Sequence, residues 1–141
     1  MSVTVRGVVA GAAIAVVVAA IGVGVYLVGP PAEQRVRRLD ERRSGDLEFL
    51  RMQVENFAVL RKRLPASLQE VPAIPDSYLR DPVTARPYEY RVRGAESFEL
   101  CADFDRPSDP DQPQFAQNIG KHGAGHACFP QVAASLRQPN K

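Results

Sequence analysis

Residues 7–28 form an unbroken apolar run. No Asp, Glu, Lys or Arg lies between Gly7 and Val28, and nothing there is more polar than Tyr26. At 1.5 Å of helix rise per residue the run spans roughly 33 Å, against about 30 Å for the hydrocarbon core of a bilayer. The pattern predicts one transmembrane helix over residues 7–28 behind a short N-terminal tail, residues 1–6. Val, Ala and Gly fill 18 of its 22 positions, so insertion rests on the absence of charge more than on strongly apolar side chains. A cleaved signal peptide is the alternative, with Arg6 as its basic start and Val18 and Ala20 as a small-residue cleavage site. The run continues eight residues past Ala20, which exceeds the usual apolar core of such a peptide. Gly7, Gly11 and Ala15 recur every fourth residue. That spacing suits close helix–helix contact, and hence self-association in the membrane, although a segment so rich in Gly and Ala also produces it by composition.

The pattern changes after Gly29, Pro30 and Pro31. From residue 32 to 63 there is no Pro, and Arg, Glu, Leu and Gln favour helix. Leu47, Leu50, Val54 and Phe57 follow one another at intervals of three, four and three, which places them on one helical face, widened by Phe49 and Leu60. Gly45 weakens the middle, and a restart with Ser44 as N-cap is expected. This divides a charged juxtamembrane segment, residues 29–46, from a folded domain over residues 47–130. Arg35, Arg37, Arg38, Arg42 and Arg43 of that segment stand among Glu33, Asp40 and Glu41. They read as a solvated helix with i,i+4 ion pairs, or alternatively as a module that binds anionic lipid.

Pro65, Pro72, Pro75 and Pro82 mark an extended connection with one helical turn at residues 67–71. Period-two alternation follows. Tyr88, Tyr90 and Val92 alternate with Glu89, Arg91 and Arg93; Phe98, Leu100, Ala102 and Phe104 alternate with Glu99, Cys101 and Asp103. The short link between them predicts an antiparallel hairpin with one aromatic and aliphatic face. Tyr88, Tyr90, Phe98 and Phe104 are the expected core, covered by the 47–60 helix. Residues 126–129 add a third short strand, residues 105–118 a polar loop, and residues 131–141 a flexible tail. The expected fold class is α+β: an N-terminal transmembrane helix, then a helix packed on a small antiparallel sheet.

Composition narrows the chemistry. A net charge of +2 excludes bulk basicity as an argument for nucleic acid, and no nucleic-acid partner is expected. Two Cys and no Trp exclude a dense disulfide scaffold and a Cys-rich zinc module. Cys101 and Cys128 are expected to form a disulfide; two free thiols, or metal ligands together with His122 and His126, are the alternatives. As a disulfide they staple a small domain for about 3–4 kcal/mol on the chain-entropy account. His122 and His126 stand four apart in HGAGH, but two intervening Gly oppose the helix that would align them, and no Glu follows His122 as in a zinc-protease helix. Asp103, Asp105, Asp109 and Asp111 are hard ligands for calcium, or else a solvated acidic loop. Ser67 and Ser77 lack a nucleophile elbow, there is no phosphate-binding Gly-rich loop, and no catalytic residue is expected.

Orientation is weighed by two opposed arguments. More Arg follow the span than precede it, which by charge alone keeps the C-terminal part in the cytoplasm. An N-terminal apolar segment that acts as an export anchor, and a Cys pair suited to an oxidising space, place that part outside. The second arrangement is expected: a single-pass membrane protein with its C-terminal domain outside the cytoplasm.

DPVTARPYEYRV resembles the segment of type II secretion pseudopilins in which an Asp-Pro turn leads into a Pro-Tyr strand. RRLDERRSGDLEFL, LPASLQEV, DPVTARPYEY, FELCADF and HGAGHACF look like a group of uncharacterised single-span bacterial membrane proteins with a pilin-like domain. The resemblance implies a pilin-like fold and a non-enzymatic binding or scaffold component whose partners are envelope or secretion proteins. A calcium site near the C-terminal loops is common in pseudopilins. The chain departs from prepilins where Gly7 is followed by Val8 and the span holds no Glu. The alternatives are a metal-binding protein or metal-dependent enzyme using His122 and His126, and a cytoplasm-facing module that binds anionic lipid through the Arg35 to Arg43 run.

Overall fold

The computed structural model describes residues 2–28, 31–108 and 119–136. The chain divides into two compact units, Met1–Arg35 and Val36–Lys141. In the first, helix α1 covers Ser2–Val28. The side chains of Val5, Ile14, Ile21 and Leu27 are all exposed. A helix apolar on every side, with nothing packed on it among the described residues, is suited to lipid rather than to a protein core, and α1 is long and apolar enough to cross a membrane.

Helix α2 runs from Pro31 to Arg61. Pro31 opens it at the position where a missing N–H costs nothing. The expected restart at Ser44 is absent: α2 passes through Gly45 without a break. A helical Gly costs about 1 kcal/mol relative to Ala. Here the neighbours on both sides, Arg43 and Asp46, are buried and bonded to other parts of the domain, which offsets that cost. The helix ends where Lys62 turns into the left-handed region at φ 56°, its N–H donating to the Ala58 carbonyl.

Three strands follow: β1 (Glu89–Val92), β2 (Ser97–Phe104) and β3 (Gly125–Val132). They form one antiparallel sheet in the order β1-β2-β3. The hairpin pairs Tyr90 with Leu100 and Val92 with Phe98. β3 is longer than the expected residues 126–129 and pairs along all of β2, from Ser97 opposite Val132 to Phe104 opposite Gly125. Gly125 has φ +97°, a conformation that other residues rarely adopt. Pro130 is tolerated inside β3 because of its register. Cys101 and Cys128 are 4.1 Å apart at Cα, the spacing of a non-hydrogen-bonded pair. Pro130, two residues on, is therefore also in a non-hydrogen-bonded position and removes no bond to β2. The segment expected as a loose tail is ordered at its start: Ala133 is fully buried, and its N–H donates to the Glu96 carbonyl at 2.8 Å. A short 3-10 helix, Ala134–Leu136, ends the described chain.

The core lies between α2 and one face of the sheet. Leu47, Leu50, Val54, Phe57 and Ala58 form a single cluster with Phe98, Leu100, Ala102, Phe104 and Phe129. Leu64, Leu68, Val71 and Ile74 of the Pro-rich connection join it. Two more 3-10 turns, Leu68–Glu70 and Asp76–Tyr78, shape that connection. The Tyr90 hydroxyl ties it to the sheet by donating to the Pro65 carbonyl at 2.9 Å. Phe49 widens the helix's apolar face as expected, its ring tilted against that of Tyr78 with centroids 4.3 Å apart. Leu60 does not: it is 80% exposed, because its position lies well round the helix from the Leu50–Val54 line. Leu50 is fully buried, so Leu50→Ala in the full chain is expected to lower unfolding free energy by about 2–5 kcal/mol. A urea titration followed by near-UV circular dichroism in detergent micelles checks this; an unchanged midpoint would place Leu50 outside the core.

Candidate functional site

Two polar assemblies stand out, one buried between α2 and the loops and one on the outer face of the sheet. The first centres on Arg43, only 3% exposed. Its Nε donates to Asp81 Oδ2 at 2.5 Å, and its Nη1 donates to Asp40 Oδ1 at 2.7 Å and to Asp105 Oδ2 at 2.6 Å. Two of the three partners have a second task. Asp40 accepts the backbone N–H groups of Asp105 and Arg106 just after β2. Asp81 Oδ1 accepts those of Val83 and Thr84, which folds the DPVTAR turn back until the Asp81 N–H reaches the Arg86 carbonyl. Asp46, one turn beyond Arg43, accepts the Tyr88 hydroxyl at 2.9 Å.

Burial alone would lower the basicity of Arg43. The carboxylates of Asp81, Asp105 and Asp40 overcome this and raise it above its ordinary value. Burial likewise pushes Asp81 up, but the Arg43 guanidinium and the Thr84 and Val83 N–H groups bring its pKa down to about 2. Asp46 shifts the other way: burial raises it, opposed by the Tyr88 hydroxyl and Arg42. Burial raises the Tyr88 phenol as well, reinforced by Asp46. Helix residues 40–46, expected in a solvated juxtamembrane segment, thus belong to the folded domain, whose compact unit begins at Val36. Arg35, Arg37, Arg38 and Arg42 are exposed and Arg43 is buried, so the five Arg divide in role.

The second assembly arises from strand alternation. Phe98, Leu100, Ala102 and Phe104 face the core, so Glu99, Cys101 and Asp103 face outward. The register sets Cys128 opposite Cys101 and His126 opposite Asp103, with Glu89 of β1 on the other side of Cys101. Cys101 and Cys128 are bonded to each other. The two ends of the bond differ: Cys101 is 1% exposed, whereas Cys128 is exposed. His126 Nδ1 lies 3.0 Å from Asp103 Oδ1, and its Nε2 lies 3.4 Å from Cys128 Sγ and 3.9 Å from Glu89 Oε1. An ionised carboxylate only accepts hydrogen bonds, so Asp103 assigns the proton to Nδ1 and turns Nε2 towards the sulfur. Glu99 lies beside Cys101 and is paired with Arg93, whose hydrogen bonds hold it below the usual carboxylate range despite some desolvation. Between this face and the 81–86 turn is a pocket of about 30 Å³, bordered by Thr84, Arg86, Glu89, Cys101, Asp103 and His126. That volume suits a water molecule rather than an organic substrate.

The other anticipated ligands are dispersed. His122 stacks on Phe104 with ring centroids 3.6 Å apart, and its backbone is tied to Ser108. It stands outside the one group of three His, Cys or acidic residues near enough together to share an ion among the described residues, which is Cys101, His126 and Cys128. Asp103 serves His126 and Asp105 serves Arg43, so these two do not form one carboxylate cluster. Asp109 and Asp111 lie outside the described residues. Gly7, Gly11 and Ala15 lie on α1, where a Cβ at either Gly would meet nothing within 4 Å. The Arg43 assembly had no local sequence signal. Its one legible hint is Asp81, whose Asp-Pro position marks a side-chain-capped turn.

Arg43→Ala is expected to cost about 3–5 kcal/mol, because it strands buried carboxylates. Arg43→Met, which keeps the volume, should behave similarly, since Asp40 and Asp81 remain without their cation; Arg43→Met with Asp81→Asn should recover part of the loss. Urea midpoints of the three variants read the difference. Acid should weaken the same contact. Asp81 has a folded pKa of about 2 against an ordinary 3.8, so its stabilisation is fully present above about pH 4 and is lost as pH falls through about 2. Asp46, shifted upward, acts in the opposite sense. The acid-dependent loss assigned to Asp81, about 2 kcal/mol, should be missing in Asp81→Asn when unfolding is followed from pH 5 to about pH 2. Comparison with protein-family models, with curated proteins and with solved structures finds no match for this chain.

Proposed function

We propose that this chain is a single-pass protein of the bacterial inner membrane that holds a pilin-like α+β domain outside the cytoplasm. There it serves as a non-enzymatic binding or scaffold component for envelope or secretion proteins. The observation that carries the reading is the pairing of an apolar, lipid-suited α1 with a disulfide, Cys101–Cys128, in the domain that follows. Disulfides persist in oxidising compartments and are rare in the cytoplasm. Support for the pilin-like element comes from the order of parts: an apolar helix, an amphipathic helix, a Pro-marked connection with an Asp-Pro turn, and an antiparallel sheet. The non-enzymatic element rests on the small volume of the pocket at the polar face. Calcium has little to recommend it at Asp103 and Asp105, which are engaged by His126 and Arg43.

Labelling of intact cells with a membrane-impermeant maleimide tests the topology. Modification of Cys101 and Cys128 only after reduction, without lysis, is the expected result. Modification that needs lysis but no reductant would reverse the orientation. The exposed Arg37, Arg38 and Arg42 would then support the lipid-binding module instead.

A further inference from the structure

We infer that Cys101–Cys128 is a thiol–disulfide exchange site for dithiols. In it Cys128 is the sulfur that meets the substrate, Cys101 is the buried leaving sulfur, and His126, aligned by Asp103, carries the proton. This goes beyond a scaffold role, and it rests on the proposed placement outside the cytoplasm only in that an oxidising compartment keeps the pair bonded.

Three observations point the same way. Only one sulfur is presented: Cys128 is exposed and Cys101 is not. A ring nitrogen is aimed at that sulfur, with Nε2 of His126 at 3.4 Å from Cys128 Sγ while Nδ1 is held by Asp103 at 3.0 Å. This sets the sulfur to be attacked, a proton carrier and an orienting carboxylate in series. Finally, the bond joins residues already opposite each other in a ladder that runs from Ser97–Val132 to Phe104–Gly125. Backbone pairing on both sides keeps the two sulfurs in place when the bond opens. Cys101 also lies outside the apolar cluster that unites α2 with the sheet.

The step balances without a further reagent. A substrate thiolate attacks Cys128 Sγ in line with the disulfide. The substrate–Cys128 bond forms, the Cys101–Cys128 bond breaks, and the electron pair leaves on Cys101 Sγ, which takes up a proton. The second thiol of the substrate then attacks its own sulfur in the mixed disulfide, and Cys128 leaves as a thiolate. The dithiol is oxidised by two electrons to a disulfide, and the protein pair is reduced to two thiols that hold the two protons. Glu89 of β1 and Glu99 and Asp103 of β2 surround the pair, while Arg93 and Arg91 lie beside Glu99. Three carboxylates disfavour an isolated thiolate, and Nε2 of His126, 3.4 Å from Cys128 Sγ, is placed to hand a proton to that sulfur as it leaves.

The oxidised full chain in detergent micelles is treated with reduced glutathione, and peptide mapping by mass spectrometry locates the adduct. It is expected on Cys128 and not on Cys101. Pre-reduced wild-type protein, given limiting iodoacetamide, should be alkylated at Cys128 about tenfold faster than at Cys101. That measurement needs no variant. His126→Gln should slow glutathione adduct formation and alkylation of Cys128 about three- to tenfold at neutral pH and move the alkylation pH profile upward. Asp103→Asn should do so to a smaller degree, with circular dichroism unchanged. A synthetic peptide with two Cys and dithiothreitol, at equal thiol concentration, separate the sources: faster reduction by the peptide assigns a polypeptide dithiol, faster reduction by dithiothreitol a small one. Equal alkylation of both sulfurs, an adduct that forms only in urea, or a pH profile indifferent to His126 would each overturn the site.

Discussion

One guanidinium holds three separate stretches of this domain in place. Arg43 projects from the middle of α2 and bonds Asp81 in the turn before β1, Asp105 just after β2, and Asp40 one turn back along its own helix. Burying a charge costs several kcal/mol unless its donors are met, and here two carboxylates are themselves secured by backbone N–H groups. The same contacts fix the 81–86 turn, orient the chain as it leaves β2, and draw α2 residues upstream of Leu47 into the fold. Tyr88 and Asp46 extend the arrangement towards the core, with the phenol donating to a carboxylate whose own burial keeps it easily protonated.

The apolar contacts supply the bulk of the stabilisation, and the polar ones specify how the pieces meet. Leu47, Leu50 and Val54 can cover any sheet that offers Phe98 and Leu100, since burial of apolar area has no direction. The hydrogen bonds to Asp40, Asp81 and Asp46 have direction, and they set where along α2 the turn and β1 dock. Once β1 and β2 are placed, alternation assigns Glu89, Cys101 and Asp103 to the outer face, and the register of β3 supplies His126 and Cys128 beside them. The polar outer face is thus a consequence of the way the inner face is buried.

Much of this layout is written locally. The apolar run of residues 7–28 needs only its length and lack of charge to be read as a span, and α1 covers it. The 3-4-3 spacing from Leu47 to Phe57 and the two alternating segments at residues 88–93 and 97–104 are periodicities of a single element, and each is found where expected. Cys101 and Cys128, expected as a disulfide with thiols or ligands as the alternatives, are joined where strand register sets them opposite each other. The Arg43 assembly was illegible because two of its three partners are 38 and 62 positions away, and a basic run on a helix has the same composition whether it meets water or buried carboxylates. Gly45 misled for the same reason: local propensity favours a break, while contacts to Arg43 and Asp46 on either side hold the helix straight through.

The sequence by itself determined the elements: the apolar helix, the amphipathic helix, the Asp-Pro turn and the hairpin. Each follows from backbone geometry repeated over neighbouring residues. Tertiary structure alone decided which charges are buried, how far β3 extends, that His122 lies against Phe104, and that His126 faces Cys128 across from Asp103. Those outcomes depend on distances between residues far apart in the chain, and such distances exist only after the elements have packed.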